Sequence, residues 1–240
     1  MKKITNWRSA TVADFEADGL LDEATKLHVL SYQLDGKGVN SFHGTEEADR
    51  IKAFFRYHLE KKIPIVMHSG ISYDIPLAEK LLDIDLSEIM LIDSLALSWY
   101  LNTNRPKHGL DSFHEDYGIE KPKIDDWENL SYEEYRHRCQ EDVKINKALW
   151  EDLKARLIDM YTFAQAEINA GHVGGTRMFD GEEIYLDQFV GSTVDEAIDR
   201  LLTFLMFKMD CARLQEKTRW DVDVELLESS IEELTEEGAK

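Results

Sequence analysis

The stretch "SATVADFEADGL", from Ser9 to Leu20, decides the fold. It is apolar, partly β-branched and closed by Gly19, the pattern of a strand that runs into a turn. Val12, Ala13 and Phe15 are apolar, so this strand is expected at the centre of a sheet. Strand side chains alternate, so Asp14 and Glu16 share a face. Two carboxylates on one face of a central strand repel each other, and are costly to desolvate without a cation. Taken alone, Asp-x-Glu is a common chance pattern, and a solvated strand face is the plainer reading.

The flanking sequence builds a sheet around it. "KLHVLSYQLDGKGVNSFHG" alternates, with Leu27, Val29, Ser31 and Gln33 on one parity. Its "DGKG" is a hairpin signal, so two more antiparallel strands are expected. "TEEADRIKAFFRYHLEK" then places Ile51, Phe54, Phe55 and Leu59 at helical spacing. "IPIVMHS" and "IMLIDS" are short apolar runs that predict buried strands. Between them "YDIPLAEKLLDI" predicts a helix, with Pro76 in its first turn. "LALSWYL" and "HGLDSFHEDYGI" predict two more, the second closed by Gly118. Ser131 and Glu134 form a capping box that opens a long helix through roughly Tyr161. Its buried side carries Tyr135, Val143, Ile145, Leu149 and Leu153. A meander followed by alternating strands and helices implies an α/β domain, a mixed sheet with helices on both faces, over residues 1–165.

Residues 166–240 read differently, as a loop and helical extension. "GHVGGTRMFDGEE" is Gly-rich and loop-like. "TVDEAIDRLLTFLMFKMDCARLQEK" is a long helix with apolar residues at more positions than one buried face needs, Leu201, Leu202, Phe204, Leu205, Phe207 and Met209 among them. "DVDVELLESSIEELTEE" is a short amphipathic helix capped by Asp221 or Asp223.

Composition sets outer bounds. The net charge is −20, from 48 acidic and 28 basic residues. A protein that gripped duplex nucleic acid alone would carry a basic face. This chain either avoids long nucleic acid, holds a short piece with the help of metal ions, or relies on a partner. No apolar run approaches the roughly 18 residues of a membrane span, and "MKKITNWRSATVADFE" has no apolar leader core. The isolated Cys139 and Cys211 fit a reduced compartment, so a cytoplasmic location (the host's, if the chain is viral) is expected.

Two further carboxylates matter. Asp74, in "HSGISYD", follows a strand and a glycine turn, at the strand end where α/β sheets bind ligands. A helix N-terminal aspartate that complements the dipole is the bland alternative. Asp142 lies inside the long helix beside Cys139 and Val143, where a solvated helix face is the default. As a set, Asp14, Glu16, Asp74 and Asp142 are hard oxygen donors that suit Mg²⁺ or Mn²⁺ rather than zinc. Two such ions would activate a water and stabilise the leaving oxygen of a phosphodiester.

"VADFEADGLL", "HSGISYDIP", "IDSLALSWYL", "KHGLDSFHEDYGI" and "HRCQEDVKIN" resemble the DEDD exonucleases of ribonuclease H-like fold. They look most like the 3′→5′ proofreading domain of family A DNA polymerases from short-tailed bacteriophages. The resemblance implies metal binding by Asp14, Glu16 and Asp142, with Asp74 acting partly through water. Ser69 stands where such sequences usually have Asn, which implies a weakened contact near the substrate. The tail resembles the stretch that leads toward the polymerase domain, so a separate polymerase chain is the partner implied for residues 194–240, and a single-stranded DNA 3′ end the substrate.

In this resemblance the water-activating base is a Tyr four residues, or a His five residues, before the last Asp. Arg138 occupies the first position and becomes a candidate substrate contact, while His137 matches the second as the expected base. Five residues of helix rotate roughly 500°, which leaves His137 about 140° from Asp142 unless the turn is loosened. Tyr135 shares the face of Asp142 but lies two turns away. A non-catalytic architectural polymerase subunit and an exonuclease on short RNA are the rival readings.

Overall fold

The computed structural model describes residues 3–122, 130–172 and 174–216. Strand β1 (Thr11–Ala17) pairs antiparallel with β2 (Leu27–Gln33), and β2 with β3 (Val39–His43). On its other edge β1 runs parallel to β4 (Ile65–Met67), and β4 to β5 (Leu91–Asp93). The order is therefore β3-β2-β1-β4-β5, with the Asp-x-Glu strand in the middle as expected. Asp14 lies opposite Ser31 and Glu16 opposite Val29, so both carboxylates project to one side.

The other side of β1 is apolar and covered by α1 (Ala48–Lys61). The Phe15 ring stacks 6.1 Å from Phe55, and Tyr32 lies 4.9 Å from Phe54. Buried His58 anchors this helix, with Nε2 at 2.8 Å from the Thr11 hydroxyl. Helix α2 (Asp74–Leu82) follows β4, and α3 (Ser94–Leu101) follows β5. Asp93 caps α3 by accepting from the Leu95 and Ala96 N–H groups. The segment expected as one helix around His114 is a 3₁₀ turn, Leu110–Ser112, then the short α4 (His114–Tyr117). Gly118 closes it at φ 61°, a left-handed position that glycine takes without strain.

Helix α5 (Tyr132–Asn169) covers the carboxylate side. Its capping box is formed: Ser131 Oγ accepts from the Glu134 N–H and the Glu134 carboxylate accepts from the Ser131 N–H. It continues well past Tyr161, because Met160, Tyr161 and Ala164 extend the buried stripe. Its first turns are fixed by ring stacking, Tyr132 on His43 at 4.0 Å and Tyr135 on His28 at 3.9 Å.

The segment expected as a loop is a hairpin, β6 (Thr176–Phe179) and β7 (Glu182–Tyr185). Asp180 and Gly181 both take positive φ, 49° and 80°, as a primed turn requires. Helix α6 (Val194–Glu216) divides its apolar residues. Ile198, Leu202 and Met206 enter the core, while Phe204, Phe207 and Leu214 are exposed. Thr203 Oγ1 accepts from the Ile4 N–H at 2.9 Å, and Met206 Sδ from the Asp93 N–H at 3.1 Å. Residue 165 falls inside α5, and α6 shares one hydrophobic core with the sheet. The short helix expected from Asp221 or Asp223 lies outside the described residues. Among the described residues no helix is long and apolar enough to cross a membrane.

Candidate metal centre

Three of the expected carboxylates converge where β1 passes beneath α5. One ligand oxygen each from Asp14, Glu16 and Asp142 lies within 4.8 Å of the others. Local structure explains each position. Asp14 and Glu16 are two apart on β1. Asp142 is on the sheet-facing side of α5, one turn after Cys139. Cys139 is fully buried, and its small thiol lets the helix sit close to the strand. Its Sγ lies 3.3 Å from the Asp14 carbonyl and 3.5 Å from Asp14 Oδ2.

Asp74 is adjacent, yet it is not one of that trio. It is buried at the start of α2, and its Oδ1 accepts the Phe15 N–H at 3.2 Å. The paired register of β4 with β1 covers only Thr11 and Val12, so Asp74 takes a strand donor beyond it. The loop leading there turns at Ser69, whose φ is 65°. That left-handed conformation suits Asn better than Ser, which makes the departure at this position a backbone matter. The Ser69 and Ile71 N–H groups are held by Asp93 Oδ1 and Oδ2 at 3.1 and 3.2 Å.

Electrostatics mark the cluster as short of positive charge. Burial, then the charges of Asp74, Asp142 and Glu16, hold the Asp14 carboxyl well above its ordinary range. Burial and Asp142 push Glu16 up to about 7, against the pull of Arg138 and Lys121. Burial raises Asp74 to about 7, opposed by its bond from Phe15, and raises Asp142, opposed by Lys121. Desolvation and mutual repulsion both favour the neutral forms, and a divalent cation would relieve both. A compact set of hard oxygen donors fits Mg²⁺ or Mn²⁺, with Asp14, Glu16 and Asp142 as the residues that could hold it.

Among the described residues, Lys121 and Arg138 face the trio. Arg138 Nε lies 3.3 Å from Glu16 Oε1, and its Nη1 donates to the Pro122 carbonyl at 2.9 Å. Lys121 Nζ lies 2.9 Å from Asp142 Oδ1 and also pairs with Asp111. Arg138 was expected to meet substrate; here its guanidinium is engaged with a carboxylate of the cluster. Lys121 was not anticipated.

The residue expected as base is elsewhere. Helix α5 is unbroken through Asp142, so His137 is turned away as regular rotation dictates. Its side chain is 63% exposed and pairs with Glu141 at 3.6 Å. Tyr135 is buried under its stack with His28, against Val29 and Cys139. The structure thus brings Asp14, Glu16, Asp142 and Arg138 together, with Asp74 alongside, and leaves His137 and Tyr135 outside.

Residues 12–144 match the family model described as RNase_H superfamily. The chain belongs to the ribonuclease H superfamily. The matched segment covers more than half of the chain and contains all four carboxylates. Solved structures are similar to this chain in fold. "Apo form of the nuclease" is similar at 17% identity, over 90% of this chain and 91% of that one, with a TM-score of 0.55. NrnC of Brucella melitensis is similar at 13% identity, over 93% and 95%, with a TM-score of 0.50. The same protein bound to pGG gives 14% identity, the same coverage and a TM-score of 0.50. No curated protein matches the sequence.

Proposed function

We propose that the chain is a divalent-metal-dependent 3′→5′ exonuclease that removes nucleotides from the 3′ end of a short single strand. The observation that carries this reading is the trio of ligand oxygens from Asp14, Glu16 and Asp142 within 4.8 Å, on a superfamily member whose solved relatives in fold include nucleases. A divalent ion held there supplies Lewis-acid activation of water and stabilisation of the leaving oxygen. Asp14, Glu16 and Asp142 would hold it, and Asp74 supports the strand from the side through the Phe15 N–H. Arg138, with Nε 3.3 Å from Glu16 Oε1, would be near enough to the trio to steady a phosphate held there. The exposure of His137 beside Glu141 and the stacking of Tyr135 on His28 support a reading in which the metal held by the carboxylates, rather than a ring, activates the water. The net charge of −20 fits a substrate gripped over few nucleotides.

The test uses 5′-labelled DNA and RNA oligonucleotides with Mg²⁺, with Mn²⁺ and with chelator. Stepwise shortening from the 3′ end, abolished by chelator and by Asp142→Asn, is the expected result. Internal cuts, or shortening that chelator does not stop, would overturn it. The DNA-to-RNA rate ratio separates a DNA 3′ end from short RNA. Editing for a separate polymerase chain is the finer form of this reading, supported by the sequence resemblance and by exposed Phe204, Phe207 and Leu214 on α6. Primer editing with and without that polymerase tests it.

A further inference from the structure

Lys121 lies outside the carboxylate motifs, and its ammonium sits at the metal-holding end of the site. Its side chain is 12% exposed, and Nζ is 2.9 Å from Oδ1 of Asp142, whose side chain is 8% exposed. Two features keep it there. Arg138 reaches from α5 past Glu16 to the carbonyl of Pro122, clamping the backbone next to Lys121 over the cluster. Asp111, in the 3₁₀ turn Leu110–Ser112, pairs with the same ammonium from the outer side and is itself 77% exposed. The path Glu16–Arg138–Pro122–Lys121–Asp142 therefore ties a loop to the strand and helix that carry the ligands.

We infer that Lys121 is an internal counter-ion of the metal site. It holds Asp142 in place when no metal is bound, and a divalent ion must displace it to load. An ammonium and a divalent ion that share one buried carboxylate repel at this range, because little water lies between them. Asp111 gives the displaced ammonium a second carboxylate at the rim, so loading does not strand a buried charge. Lys121 is a positioning residue that sets how tightly the site takes metal and keeps it formed before loading. The inference rests on the metal-dependent reading above.

The test is a Mn²⁺ titration followed by calorimetry, alongside melting in chelator, for the full chain and its Lys121→Met, Lys121→Arg and Lys144→Met variants. Lys144 is the control: it is on the same helix, two residues from Asp142, and pairs with Glu141. Lys121→Met should bind Mn²⁺ at least about tenfold more tightly, a shift of about 1.4 kcal/mol, and melt lower in chelator. Lys121→Arg should stay near the parent in both, and Lys144→Met should change affinity less than about twofold. Unchanged or weaker Mn²⁺ binding by Lys121→Met overturns the inference while leaving the exonuclease reading intact. Equal tightening by Lys144→Met also overturns it, since the effect would be general charge. If the parent chain takes up no Mn²⁺, both readings fall together. Should Lys121→Met not fold, the pairwise variant Asp111→Asn with Lys121→Met removes both charges and must still bind Mn²⁺ more tightly than the parent.

Discussion

The two sides of β1 are built from alternate residues of one strand and do opposite work. Ala13 is buried on one side, and Phe15 there meets α1 by stacking with Phe55, where water is excluded. Asp14 and Glu16 meet α5, where Asp142, Lys121 and Arg138 crowd around them. The first side gains free energy from burial. The second spends some of it on carboxylates held above their ordinary titration range. A strand flanked by apolar residues on one face can carry a repulsive cluster on the other, because the packed face fixes the backbone that the cluster would otherwise push apart.

The sharpest way to break this comparison is to touch only the charged side. Asp142→Asn should lower nuclease turnover by more than about 10²–10³-fold, several kcal/mol of lost charge stabilisation. In chelator the same variant should melt no lower than the parent, since it removes repulsion. Turnover within about tenfold of the parent would show that Asp142 holds no essential metal. The apolar side should give the mirror result. Phe55→Ala should cost about 3–5 kcal/mol of stability while the rate per folded molecule stays unchanged, as denaturant melts and active-site-normalised rates would show. A large loss of rate without a loss of stability would mean that α1 does more than pack.

Acidity sharpens the comparison further. Glu16 and Asp74 titrate near 7 in the folded chain, against ordinary values of 4.5 and 3.8. Between those values the folded state holds more protons than the unfolded state, so stability must fall as pH rises through that window. Melting temperature in chelator should therefore decline from about pH 4 to pH 7, and saturating Mg²⁺ should flatten or reverse the decline. A metal-free melting temperature that climbs across this range would contradict the buried repulsion. The smallest expected effect is at His137. His137→Ala, on the exposed side of α5, should change the rate by less than about threefold, as for surface substitutions generally. A loss of about 10²-fold or more, the usual worth of a general base, would mean that the turn carrying His137 rearranges around substrate.

Much of this was legible in the sequence because it obeys short periods. Period two put Asp14 and Glu16 on one face. The capping box at Ser131 fixed the start of α5 and hence the face of Asp142. His137 matched the spacing expected of a base, but with α5 unbroken helical rotation leaves its side chain exposed beside Glu141. The hairpin at Asp180–Gly181 carried its own turn signal but was hidden inside a Gly-rich run read as a loop. The end of α5 was placed too early because its later buried residues are spaced among charges.

By itself, then, the sequence determined the central strand, the order of the layers and the carboxylates that could share a metal, since each depends on neighbours a few residues apart. Only the tertiary structure decided which charges answer those carboxylates. Lys121 and Asp111 belong to no carboxylate motif in one dimension, and Arg138 stands where the resemblance would seek a tyrosine. Their roles come from a loop folded back over α5 and pinned through the Pro122 carbonyl. An ion pair depends on distance in space, with burial setting its strength, and the fold sets both.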